Sequence, residues 1–192
     1  MNVPRTYVDF TLSKGAEFNI KNEILGEMTQ SLLEDTYRDK LRSLSANFII
    51  TTDLNNYPED IFVASSYFET DSTSAKEIEY AIVKELDGIS NGGLTDFEFN
   101  RLVKEVANKF NSNNQRNSYW LTTLKRRYID GKDFYNNYAA ELQSISKNEF
   151  SKFISGLLSG NRISVVMDGT THDVETAKLL KEDFIKDYFD VN

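Results

Sequence analysis

The chain has 192 residues, 40% hydrophobic and 27% charged, with a formal net charge of −8 and a pI near 4.8. This is room for one sizeable domain or at most two small ones, in the ordinary range for a globular protein. The acidity argues against a duplex-binding surface, which needs a basic patch. The densest basic run, Lys125-Arg126-Arg127, reads as a solvated helix face, so no nucleic-acid partner is expected. Absence of cysteine excludes disulfides, thiolate nucleophiles and cysteine zinc sites.

Residues 6–13 alternate, with Val8, Phe10 and Leu12 on one face, and predict a strand. Residues 17–41 switch to a helical period: Ile20, Ile24, Met28 and Leu32 step by four, with Leu25 at the flank. Gly26 inside that stripe costs about 1 kcal/mol relative to Ala. It is expected to permit close packing against a sheet. Residues 46–54 and 61–70 predict a hairpin across a polar turn at 55–60. A helix over 73–90 presents Ile78, Ile82, Leu86 and Ile89, and Asn91-Gly92-Gly93 ends it.

Thr95 and Glu98 form a capping box. The helix that follows turns Phe99, Leu102, Val103, Val106 and Phe110 inward. The polar run 111–117 interrupts it before Trp120, Leu121 and Leu124, and Gly131 closes the segment. A helix over 133–142 is expected next. A second capping box at Ser146 and Glu149 then opens a short helix to Leu158. Residues 162–167 predict a short buried strand, and residues 173–189 a terminal helix. Strands set among runs of helices indicate α+β: an antiparallel or mixed sheet with helices packed on one face. No stretch approaches the ~18 apolar residues of a membrane span. The start, MNVPRTYVDF, has no apolar signal core and opens almost directly into a strand-like run, as a fragment cut at a domain boundary would.

Chemistry is sparse in this chain. His172 is the only histidine, whereas a catalytic zinc needs several converging ligands, so no metal ligand is assigned. Beside Asp173, it reads as a surface residue near a helix cap. There is no Gly-x-Ser-x-Gly elbow, no phosphate loop and no calcium-loop pattern. No catalytic residue can be named from the chain alone.

Several stretches nevertheless fall in a telling order. They are Pro4-Arg5-Thr6-Tyr7-Val8-Asp9-Phe10, the helix at 22–33, Tyr37-Arg38-Asp39-Lys40, and Gly93-Leu94-Thr95-Asp96-Phe97-Glu98-Phe99. Asn117-Ser118-Tyr119-Trp120-Leu121 follows, with Tyr128, Gly131 and Asp133, and then 144–150 and 161–167. Together, over about residues 3–170, they resemble one domain of the pitrilysin/insulinase-type zinc peptidases, or inverzincins. The resemblance is to the later, metal-free domain, which closes over the substrate peptide. It implies that residues 1–192 form a single domain of that type. It also implies an upstream domain, on this or a partner chain, supplying zinc and a catalytic base through His-x-x-Glu-His. No such motif can be written here from one histidine, so this chain alone should be inactive.

The family's substrate-gripping Arg corresponds to Arg38. Its usual Tyr, seven residues on, is replaced by Ser45, and the nearest aromatic is Phe48. Arg38 and Ser45 are therefore the expected substrate-binding residues, and a peptide the expected substrate. An ion pair of Arg38 with Glu34 or Asp35 at helical spacing is the plain structural alternative. The resemblance further implies a bacterial, periplasmic setting. Two other readings stand beside it: a non-catalytic family member acting as a peptide-binding or assembly subunit, and an unrelated α+β binding domain.

Overall fold

The alternation read in the first strand is what the computed structural model, which describes residues 4–170, builds its sheet around. β1 runs Pro4–Gly15, and its Val8, Phe10 and Leu12 are buried. β2 (Ala46–Asn55) and β3 (Ile61–Thr70) form the expected hairpin, and β4 (Asn161–Thr170) completes a sheet of order β2-β3-β1-β4. All three pairings are antiparallel. β1 is central, with Val8 opposite Phe68 on one side and Val166 on the other.

The described helices are α1 (Ile20–Thr36), α2 (Ala75–Ser90), α3 (Asp96–Asn113), α4 (Asn117–Tyr128), α5 (Tyr138–Ser144) and α6 (Lys147–Leu158). α1, α2 and α6 pack on the face that carries Phe10, Phe62 and Phe68. Tyr67 and Ile49 point the other way and are exposed. The architecture is therefore α+β, with helices on one face, as the patterning predicts.

The stripe Ile24, Met28 and Leu32 is buried, with Leu25 and Leu33 beside it, while Ile20 is only partly covered. Gly26 has the role expected of it: a Cβ there would stand 2.6 Å from Cε2 of Phe62, so only a bare backbone lets helix and sheet approach this closely. Both capping boxes form. The Glu98 N–H donates to Thr95 Oγ1 at 3.2 Å, and the Thr95 N–H donates to Glu98 Oε2 at 2.9 Å. Ser146 and Glu149 repeat those distances. Gly92, at φ 84°, ends α2 in the left-handed region that side chains avoid.

Four features differ from the sequence reading. The first helix does not run on to residue 41: from Tyr37 to Leu41 it widens into a π-helical turn, with the Arg42 N–H donating to the Tyr37 carbonyl at 2.9 Å. α5 starts at Tyr138 rather than 133, because the Asp133 side chain accepts from the Tyr135 and Asn136 N–H groups, both at 3.0 Å, and holds a turn there. The strand expected to be buried at 162–167 is exposed along its length: Val165 is 56% exposed and Met167 55%. Among the described residues it is an edge strand with one neighbour, and its apolar run marks β propensity rather than burial. The basic triplet is solvated at Lys125 and Arg127, as expected, but not at Arg126. Arg126 is half-buried against Glu23 at 2.6 Å, and Arg127 pairs with Asp133 at 3.3 Å. The expected helix at 173–189 and His172 lie outside the described residues.

Candidate functional site

The end of α1 determines what Arg38 can do. A π turn adds one residue to a helical turn, rotating the side chains that follow, and such turns recur at functional sites. Here it sends Leu41 into the core and Arg38 out, with 59% of the Arg38 side chain exposed. The guanidinium pairs with Asp35 one turn back, and its Nε lies 3.7 Å from Asp39. Of the two acids sequence spacing offered, Asp35 is the partner. Glu34 pairs instead with Lys109 of α3 at 2.8 Å.

Asp35 is nearly buried, its side chain 8% exposed, and it holds a second arginine, Arg101 of α3. Arg101 also reaches Glu105 at 3.0 Å. A buried carboxylate is tolerable only when it is paired and hydrogen-bonded. Arg101 supplies that pairing from the neighbouring helix, so Arg38 is the second, outer partner. A cleft of about 130 Å³ lies alongside, lined by Asp35, Asp39, Lys40, Glu85, Glu98 and Arg101.

Ser45 stands beyond the π turn, its N–H donating to the Leu41 carbonyl at 3.2 Å. Its hydroxyl oxygen is buried and has no hydrogen-bond partner among the described residues. Its carbonyl accepts from the Tyr37 hydroxyl at 3.4 Å. Phe48, the nearest aromatic, is stacked between Tyr37 (ring centroids 4.2 Å apart) and Phe68 (5.5 Å). The structure thus brings Arg38 to Asp35 and Asp39. Among the described residues it makes no hydrogen bond between Arg38 and Ser45.

The start of β2 carries a second polar group that sequence reading missed. Asn47 adopts φ 53°, beside a register irregularity between Ala46 and Ile49. Asparagine tolerates that left-handed geometry better than most residues. Its amide donates to Glu69 Oε2 at 2.7 Å, and Arg5 pairs with the same carboxylate. Burial pushes the Glu69 carboxyl up, but bonds from Asn47, Arg5 and Tyr7 outweigh it and hold the group below its usual value. The only local signal was Asn47 at a strand start; the Glu69 contact is long-range.

Among the described residues no three His, Cys, Asp or Glu side chains converge as a metal site would require. The acids near Arg38 are spoken for by arginine and lysine, so the residues present do not fit a zinc centre.

With this geometry in hand, comparison with solved structures is informative. The inactive peptidase domain of a zinc-protease candidate from Bordetella parapertussis superimposes with a TM-score of 0.67, at 10% identity, over 87% of this chain and 94% of that one. The fold is shared with M16-like peptidase domains. An M16-like peptidase candidate from Alicyclobacillus acidocaldarius gives a TM-score of 0.61 at 17% identity, over 85% of this chain and 40% of that chain. The periplasmic protease PqqL of Escherichia coli gives 0.64 at 13%, over 87% of this chain and 19% of that one. Against these two longer proteins the chain spans between a fifth and two fifths of their length. No protein-family model and no curated protein sequence matches the chain. The likeness is one of fold.

Proposed function

We propose that this chain is the metal-free, substrate-holding domain of a zinc endopeptidase, closing a chamber whose catalytic half lies upstream or on a partner chain. The observation that carries the reading is the fold match to an inactive peptidase domain over nearly the whole of both chains. In such an enzyme zinc polarises the scissile carbonyl and activates water from the other half. This chain's own part is to bind, orient and exclude water.

Arg38 suits that part energetically. When it swings from Asp35 to a peptide carbonyl or acidic side chain, Asp35 keeps Arg101, so no buried charge is orphaned. Ser45 can donate to substrate only if the turn at 42–45 opens, because its hydroxyl faces inward. A bacterial, periplasmic setting is proposed with the same reading; PqqL is a periplasmic protease.

A second reading, a non-catalytic peptide-binding or assembly subunit, is favoured by one observation. The Ser45 hydroxyl is turned inward and Phe48 is stacked on Tyr37, so neither position supplies the donor to a developing oxyanion that the missing tyrosine would. The deciding experiment follows cleavage of an unstructured fluorogenic peptide by the zinc-loaded catalytic half, with and without this chain. The expected result is a gain in turnover on adding the chain, reduced several-fold by Arg38→Ala. Association of the halves without any gain transfers the assignment to the assembly subunit.

A further inference from the structure

A cavity of about 310 Å³ opens between the N-terminal half of α1, the end of α3, α4 and α5, about three helical turns from Arg38. Its volume is at the lower end of the roughly 300–1,000 Å³ of small-ligand clefts. Arg116, Ser118 and Thr122 are exposed and mark its mouth, while Thr123, Phe134 and Tyr138 are buried and mark its floor.

The charges that line it are unevenly matched. Glu23 and Arg126 neutralise each other at 2.6 Å, and Arg126 also stacks over Phe134, 4.5 Å from the ring centroid. Glu27, one turn along from Glu23, has no cation of its own among the described residues. It accepts a hydrogen bond from the Tyr138 hydroxyl, and no other side-chain bond reaches it among the described residues. Burial pushes its carboxyl up to about 7; the Tyr138 bond opposes this, Glu23 adds to it, and Arg126 and Lys109 act against it from a distance. Lys109 is committed to Glu34. Arg116 makes no side-chain hydrogen bond or ion pair among the described residues.

Among the described residues the cavity therefore has a carboxyl without a cation on its inner wall, rings on its floor and side, and a cation without an anion at its mouth. We propose that it binds the side chain of a lysine residue of a peptide, its ammonium paired with Glu27, its stem against Tyr119 and Phe134, and its carbonyl or terminal carboxylate at Arg116. This goes beyond the peptidase reading and does not depend on it, since binding is measured on this chain alone.

The test is titration of the whole chain with Nα-acetyl-lysine, followed by calorimetry and amide chemical shifts, with Nα-acetyl-norleucine and Nα-acetyl-lysine amide as comparators. Saturable binding in the millimolar range is expected for acetyl-lysine and none for the norleucine compound. Affinity should rise about tenfold from pH 6 to pH 8 as the Glu27 carboxyl, which Glu23, Arg126, Lys109, Tyr119 and Tyr138 face, ionises. Glu27→Gln keeps the size and an acceptor for Tyr138, so it should fold, lose at least tenfold in affinity and lose the pH dependence. Arg116→Ala should weaken acetyl-lysine several-fold and the amide, which keeps only a neutral carbonyl, by less. Equal binding of the norleucine compound, unchanged affinity in a folded Glu27→Gln, or no saturable binding by the folded native chain up to about 50 mM overturns the assignment.

Discussion

Two carboxylates of α1 are shielded from water, Asp35 almost fully and Glu27 in part, and the fold treats them differently. Asp35, at the C-terminal end, is claimed by Arg101 from α3 and by Arg38 from its own turn. Glu27, at the middle of the helix, is claimed among the described residues only by a phenol. The first arrangement closes: its cleft is small, and its charges cancel. The second stays open, with a carboxyl whose ionisation is costly and a cavity large enough for a guest. Burial alone does not make a site; burial without a matching partner leaves binding energy unspent.

This contrast can be broken most severely at Asp35. Asp35→Ala should lower stability by about 2–3 kcal/mol in urea unfolding, because two arginines lose the acid that fixes α3 against α1. In the same assay Arg38→Ala alone should cost no more than about 0.5 kcal/mol, because Arg38 is largely exposed and Asp35 keeps Arg101. Combined with Arg101→Ala, the loss should exceed the sum of the two singles, since only the double variant orphans Asp35. Additive losses would mean that Asp35 gains nothing from having two partners.

One residue before Glu27, Gly26→Ala should destabilise by about 1–2 kcal/mol despite the better helix propensity of alanine, because its Cβ would overlap Phe62. Pairing it with Phe62→Leu should restore part of the loss.

A smaller effect belongs to Glu27. Its folded-state pKa lies above the ordinary carboxyl value of 4.5. Its contribution to stability is therefore full below about 4.5 and is lost as pH rises through 7. Glu27→Gln should leave stability near pH 4.5 almost unchanged and raise it at pH 8 by about 1–2 kcal/mol, after allowance for partial exposure. Thermal unfolding of both proteins across that range reads the difference directly. A saturating lysine ligand should reduce the gap by stabilising only the native chain.

Sequence reading recovered the helical stripe of α1, both capping boxes and the close approach at Gly26. Each is encoded within four residues or in one unusual residue type. It placed Arg38 next to Asp35 as one of two choices, for the same reason. It missed the π turn, because one added residue leaves the apolar spacing nearly intact. It expected burial for the run at 162–167, because an apolar strand reads alike at a sheet edge and in its centre.

What the sequence determined by itself was therefore local: element types, helix caps, the glycine contact and the absence of thiol chemistry from a chain without cysteine. What only the tertiary structure decided was partnership across distance: Arg101 for Asp35, Asn47 for Glu69, and the Tyr138 phenol for Glu27. Local hydrogen bonds depend on spacing along one chain segment, so residue order encodes them. Ion pairs between helices depend on how those helices cross, and burial depends on every layer around a group.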